Sequence, residues 1–468
     1  MTFLFIFFIY CPIDSWQNEV LEELQVRGYF YTKFPSVKPY SVFLAYDSIK
    51  TSSCAVNQAK LLYDRLWLPN LSLRIKIDTV QVARFKPMVN YKFSDFLIYL
   101  QPDVKFGTDS LPPNKVFKNL FSADYERVYV RYDNEYWGTF IGRERFSIGP
   151  SLRYNMLLSG YGPPLDWFHY RLTAKYFQLS YFLSQLDDMF CKPLEYIGDT
   201  INTFINARRF LIIKRLDFTP VSWFNCSFSE AATQGGENFV LMPYHFNPLV
   251  FIHTLQHNWD RDADLFFHLD VKIFLKNCAF YSALLVDDYQ LEPDPNGEPN
   301  HFGINFGTEF TDLFLRNNFL IFEYHLLSRW VYCIYAPYQR YMYYGYPIGF
   351  PYGPDCDEWY LKYVHHLNEK FDIFINSSYL RKGENNVNSI WPIPEKPRIP
   401  GIYFPEDNYL SGVSQNTANI NIGARVFYKN LLFLEFYLGY INIQNNQHIK
   451  GNSKNSMQIG MQIDFLKL

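Results

Sequence analysis

The chain predicts an all-β fold, a transmembrane antiparallel β-barrel of the outer-membrane type with about 16–18 strands, preceded by a short periplasmic helical segment. Two observations carry this. From about residue 70 to the C-terminus, apolar side chains recur at every second position, which is the period of a strand. Several of these runs also exceed the five or six residues usual in soluble sheets and approach the roughly 9–11 needed to cross a bilayer as a tilted strand. In 263–275, ADLFFHLDVKIFL, Ala263, Leu265, Phe267, Leu269, Val271, Ile273 and Leu275 form one continuous apolar face, against Asp264, His268, Asp270 and Lys272. A soluble core would have to pair those charges, whereas a barrel turns them into a wet lumen and gives the apolar face to lipid.

In chain order, MTFLFIFFIYCPIDSWQ opens with an apolar run of the length of a secretory h-region, read as a signal peptide over 1–15. No later stretch approaches the roughly 18 apolar residues of a helical span. Residues 16–68 read as a helical segment. NEVLEELQVRG sets Val20, Leu21 and Leu24 on one stripe and stops at Gly28, and CAVNQAKLLYDRLWLP repeats the pattern before Pro69.

Residues 69–468 form the barrel. SLRIKID, ERVYVRYD, ANINIGARVFY and MQIGMQIDF each alternate cleanly, and Trp67, Trp137, Trp167, Trp223 and Trp359 suit interfacial girdles. Closure removes the sheet edges that lipid would not tolerate.

The seven cysteines show no metal-ligand spacing and read as apolar fillers. A net charge of -3 gives no polyanion-binding surface, so nucleic acid is not an expected partner. Neither cofactor nor metal is expected.

Three long turn-rich segments, 293–300, 336–358 and 384–412, contrast with the short turns elsewhere and read as extracellular loops. GRERFSIGPSLRYNMLLSGYGPPLD (142–166) resembles the Wzi capsule-assembly family of outer-membrane proteins, through Gly142, Arg143, Gly149, Pro150, Leu157, Leu158, Ser159, Pro163, Pro164 and Asp166. Ile148 and Ser151 stand where that family often has Trp and Gly. The likeness continues in order through SEAATQGG, FNPLVF, LLVDDYQ and GYPIGFPYGPDCDEWY. It implies an outer-membrane barrel with a periplasmic helical preface, and a lectin-like role in anchoring surface or capsular polysaccharide.

Sugar binding asks for aromatic faces beside carboxylates and guanidinium groups. The candidates are Arg143, Glu230, Asp287, Asp288, Tyr289, Tyr341, Tyr343, Tyr344, Asp355 and Asp357. The expected partners are the glycan, outer-membrane lipid and the barrel-assembly machinery, with the chain acting as a monomer. No GxSxG, HExxH or P-loop is present, so no enzyme is expected. Two alternatives stay open: a diffusion channel for small solutes, and a barrel enzyme whose Ser, His and acid come from different strands.

Overall fold

A computed structural model describes residues 6–11, 13, 16–29, 34–45, 74–77, 83–106, 117, 121–200, 202–259, 263–288, 300–392, 409–428 and 432–465. The expected second helix near 54–69 and Trp67 lie outside them. The strands close into one antiparallel barrel. They are β1 (Arg74–Ile77), β2 (Ala83–Phe85 continued by Val89–Phe93), β3 (Phe96–Phe106), β4 (Phe121–Asp133), β5 (Trp137–Glu144), β6 (Leu165–Thr173) and β7 (Phe177–Gln185 continued by Met189–Cys191). The wall continues through β8 (Ile205–Val221), β9 (Phe224–Gly236), β10 (Asp264–Leu275), β11 (Cys278–Asp288), β12 (His301–Thr311) and β13 (Asn318–Leu327). It ends with β14 (Cys356–Asn368), β15 (Phe371–Lys382), β16 (Gln415–Tyr428), β17 (Leu432–Gln444) and β18 (Ser453–Phe465). β18 pairs with β1 through Gln462 and Lys76, so the ring has no open edge among the described residues. Among the described residues, with each interrupted strand counted once, eighteen strands make the wall.

Connections alternate between two rims. One carries short turns such as 94–95, 134–136, 222–223 and 369–370, and the other the long segments 145–164, 192–204, 237–263 and 328–355. This is the asymmetry of outer-membrane barrels, whose short turns are periplasmic.

The phase read from sequence holds in the wall. On β10, Asp264, His268, Asp270 and Lys272 are buried inside, while Leu269 and Leu275 are exposed outside. On β4, Arg127, Tyr129, Arg131 and Asp133 point in and Val128 and Val130 point out. Trp137, Trp223 and Trp359 are exposed as a girdle requires. Trp167 departs from this. It is buried against Phe146 and Phe182, with its indole N–H on the Glu144 carbonyl, because β6 turns its odd-numbered residues from 165 to 171 inward. β8 carries Arg209 and Arg215 on the inner face and Lys214 on the outer, so its basic residues are divided between the two sides of the wall.

The lumen is filled from both ends. Helix α1 (Trp16–Val26) enters at the short-turn rim, where Trp16 packs on Phe427 and Phe433 and Arg27 bonds Asp312 at 2.6 Å. It ends at Gly28, whose positive φ of 76° permits the cap, and Tyr29 N–H closes on the Leu24 carbonyl. Its apolar stripe is buried, and so are Glu22 and Glu23, with Glu19 half-buried, because each carboxylate meets a cation. Glu19 binds Lys362 and Arg425, Glu22 binds Lys38 and Lys272, and Glu23 binds Arg27 and His366. Lys272 is shared with Glu309 at 2.7 Å. The chain then runs up the lumen, where Val37–Lys38 pairs with Ser147–Ile148 of the inward-folded 145–164 loop. Elsewhere Ile6–Cys11 pairs with Tyr40–Ala45.

From the long-loop end, segment 328–355 folds inward. Tyr332 and Tyr341 hydroxyls donate to the carbonyls of Met156 and Leu157 at 2.5 and 2.7 Å, and Arg209 holds the carbonyls of Tyr338, Arg340 and Met342. Cys191, Cys226, Cys278, Cys333 and Cys356 are free thiols among the described residues.

Removing Lys272 leaves Glu22 and Glu309 as buried carboxylates without their shared cation. Lys272→Ala is expected to cost about 3–5 kcal/mol, read as a lowered unfolding temperature in detergent.

Burial works to raise the carboxyl pKa of Glu19 and Glu23, but Arg425 with Lys362, and His366 with Arg27, outweigh it and hold both below the ordinary value of 4.5. Their contribution is present in full above that value and is lost as the pH falls through the depressed one. Protease protection of the α1 segment is therefore expected at pH 7 and lost in strong acid.

Candidate functional site

At the long-loop rim the barrel brings together groups that are distant in sequence. Arg143, at the top of β5, makes a bidentate pair with Asp166 of β6 at 2.9 and 2.8 Å and reaches Asp124 of β4 at 3.0 Å. Antiparallel register places Arg143 opposite Asp166, so the pair follows from strand alignment. Just before it, Gly142 has φ of 134°, and a Cβ there would meet the Val128 carbonyl at 2.2 Å, so only glycine lets the two backbones approach.

The short hairpin Met342–Tyr343 and Tyr346–Pro347 leans over this cluster. Tyr343 and Tyr344 stack edgewise at 4.6 Å, and Tyr344 N–H donates to Asp187, in the break of β7, at 3.2 Å. Asp188 stands exposed near Tyr344, and Tyr161, 52% exposed on the 145–164 loop, packs edge-on to Tyr154 at 5.7 Å. Burial, reinforced by Tyr344, pushes the Tyr343 phenol above its ordinary range; burial also raises Tyr344. Both therefore stay protonated donors at physiological pH. The rim thus offers partly exposed aromatic faces, phenol donors, paired carboxylate acceptors and one guanidinium.

Of the sequence candidates, the structure brings Arg143, Tyr343 and Tyr344 close together at this rim. The other candidates are placed elsewhere. Tyr341 is fully buried between Phe266 and Tyr332, its hydroxyl committed inside the lumen. Asp355 is buried and accepts from the amides of Asn385 and Ser411, tying those two residues together. Asp357 is buried on Arg381, Tyr324 and Tyr409. Asp287 accepts the Tyr332 amide at 2.7 Å. Glu230 lies on the outer wall, 1% exposed, accepting the amides of Ile252 and His253. Asp288 closes β11, its side chain outside the described residues together with Tyr289. Sequence reading missed Asp124, Asp166, Asp187 and Tyr161 as site residues. The Asp187–Asp188 pair interrupting an alternating run was the one available signal.

A serine, a histidine and an acid do meet inside the barrel. Ser151 Oγ lies 3.2 Å from His325 Nε2 and donates to Glu323 Oε2 at 2.6 Å. Yet Nε2 also sits 2.9 Å from the Tyr154 carbonyl, which only accepts, so that nitrogen carries the proton and is not the base of a nucleophile pair. Glu323 also accepts from Leu152 N–H at 2.7 Å and Tyr281 hydroxyl at 2.6 Å, making it a clamp on the 149–153 turn. Among the described residues no group of His, Cys, Asp and Glu is arranged to hold a metal ion.

With this geometry in place, residues 89–457 match the family model described as capsule assembly protein Wzi. The chain belongs to the Wzi family. Wzi from Escherichia coli, described as an outer-membrane protein involved in group 1 capsule assembly and a carbohydrate-binding β-barrel, shares 15% identity. The match covers 98% of this chain and 100% of that one, with a TM-score of 0.67. The Pseudomonas aeruginosa outer-membrane protein OprD is similar at 9% identity over 85% of this chain and 93% of its own, with a TM-score of 0.43. No curated protein sequence matches. The family and the shared fold make this an outer-membrane barrel.

Asp355→Ala frees the Asn385 and Ser411 amides and is expected to cost about 1–3 kcal/mol. Limited proteolysis should show faster cutting within 384–412, with the barrel core intact.

Proposed function

We propose that this protein binds and anchors surface polysaccharide, without catalysis, at the rim formed by Arg143, Asp124, Asp166, Asp187, Tyr161, Tyr343 and Tyr344. The observation that carries this reading is the pairing of a filled lumen with an open rim. α1 and the two inward loops occupy the conduction path, while the partly exposed tyrosines and acids gather at the outer end. Tyrosine faces pack on sugar C–H surfaces, and carboxylates accept from sugar hydroxyls in pairs. Acids outnumber cations in this cluster, which favours hydroxyl-rich chains over carboxylate-rich ones. The carbohydrate-binding description of the Escherichia coli relative supports the same reading. Asp288 and Tyr289 are included in the surface on the strength of the sequence. Asp287, Tyr341, Asp355 and Asp357 act as positioning residues, holding the loops that shape it, whereas Glu230 lies on the outer wall and takes no part in the rim.

On this reading residues 1–15 are removed on export, which takes away the Ile6–Cys11 pairing. Residues 16–68 form the periplasmic segment that plugs the barrel of residues 69–468. The barrel-assembly machinery inserts the chain, and it works as a single barrel.

The test is retention of the detergent-solubilised barrel on polysaccharide purified from its own cells. Arg143→Ala combined with Tyr344→Ala is expected to weaken binding about tenfold or more, or about 1.4 kcal/mol, with unfolding temperature unchanged. Retention equal to the parent would sink the site. Large steady bilayer currents from the intact chain would instead favour the diffusion channel.

A further inference from the structure

The outer wall carries a charged pair where lipid should be. Lys214 of β8 sits between Ile212 and Leu216 on the outward face, and its register partner Glu230 on β9 lies at 3.5 Å. Both are buried, because residues 237–259 do not rise from the rim but fold back over the outside of the barrel. Its helix α2 (Ile252–Trp259) points its first amides at Glu230, each at 3.0 Å, and the Val250 carbonyl accepts from Lys214. Tyr170 and Tyr181, outward residues of β6 and β7, donate to the carbonyls of Phe246 and His245 at 3.0 and 2.6 Å. Ile252 is 1% exposed in an apolar cluster with Leu183, Ile212, Ala232 and Leu265 of the wall. One polar side of the segment is thus satisfied by β6 to β10.

The other side is greasy. Val240, Met242, Phe246, Leu249 and Phe251 are exposed on the segment, with Leu249 at 73% and Val240 at 63% exposure. Phe251 lies 6.1 Å from Phe228 of β9, whose register partners Leu216 and Leu269 are exposed residues of the wall's own apolar belt. A loop bathed in water would not present five large apolar side chains outward while burying its polar contacts. The belt around it is covered by acyl chains, and the patch is continuous with that belt. We infer that residues 237–259 form a membrane-embedded flap, whose outward apolar face docks into lipid acyl chains of the outer leaflet while its inner face caps the Lys214–Glu230 pair. The flap replaces a stretch of lipid-facing wall that the ion pair would otherwise make hostile to hydrocarbon. This surface is separate from the rim and independent of what the rim binds.

The test places a photoreactive residue at Leu249, as Leu249→p-benzoylphenylalanine, in the full chain reconstituted into vesicles of phosphatidylethanolamine and phosphatidylglycerol. Ile422, exposed on the β16 belt, is the lipid-facing reference, and Lys450, on the exposed 445–452 connection, is the aqueous one. Lipid adducts at 249 within about twofold of those at 422, and several-fold above those at 450, are expected. Adducts joining two copies of the chain would overturn the inference in favour of a barrel-to-barrel interface. Yields at the level of 450 would overturn it in favour of a flap standing in water. A second attachment point, Val240→p-benzoylphenylalanine, guards against a local effect at 249 and must give the same ranking.

Discussion

The carboxylates of α1 and the cations of the barrel wall neutralise one another, and the closed lumen depends on that match. An interior with Lys272, Arg425, Lys362 and His366 pointing inward is costly to dehydrate unless each charge meets a partner. Glu19, Glu22 and Glu23 supply three such partners from a single helix. Their spacing allows it, since Glu19, Glu22 and Glu23 are separated by three and four residues and so share one side of the helix. The same helix buries Leu21 and Leu24. The plug is therefore fixed in position by charge and in depth by packing, and the chain beyond it is delivered to the 145–164 loop at Lys38.

That delivery organises the far end. Once Val37–Lys38 pairs with Ser147–Ile148, the 149–153 turn is set against Glu323, and the carbonyls of Met156 and Leu157 receive Tyr332 and Tyr341. The second inward loop is thereby anchored through its buried tyrosines, which leaves Tyr343 and Tyr344, two and three residues on, to turn outward over Arg143. Buried and exposed tyrosines of one loop divide the work between holding the loop and offering a surface.

The outer face follows the same rule by different means. A charge pair on the lipid side must be covered, and residues 237–259 cover it with helix-terminal amides and a carbonyl while giving hydrocarbon an apolar exterior. Interior and exterior charges are both satisfied by segments folded back on the wall, one within the barrel and one outside it.

The sequence by itself determined the closed antiparallel sheet, the inward and outward phase of most strands, the helix ending at Gly28 and the family motifs of 142–166. Period-two alternation and a φ-tolerant cap are local properties that need no partner to be read. Only the tertiary structure decided the site. Arg143 meets Asp124 and Asp166 through strand register, and Tyr341 differs from Tyr344 only in which side of the loop faces the lumen. β8 was obscured because a flap from elsewhere in the chain covers its outer face, so Phe210, Leu211, Ile212 and Ile213 form one apolar run without alternation. The physical reason is common to the last two cases. Burial imposed by a distant segment changes which side chains may be apolar or charged, and such a segment leaves no periodic trace in the strand it covers.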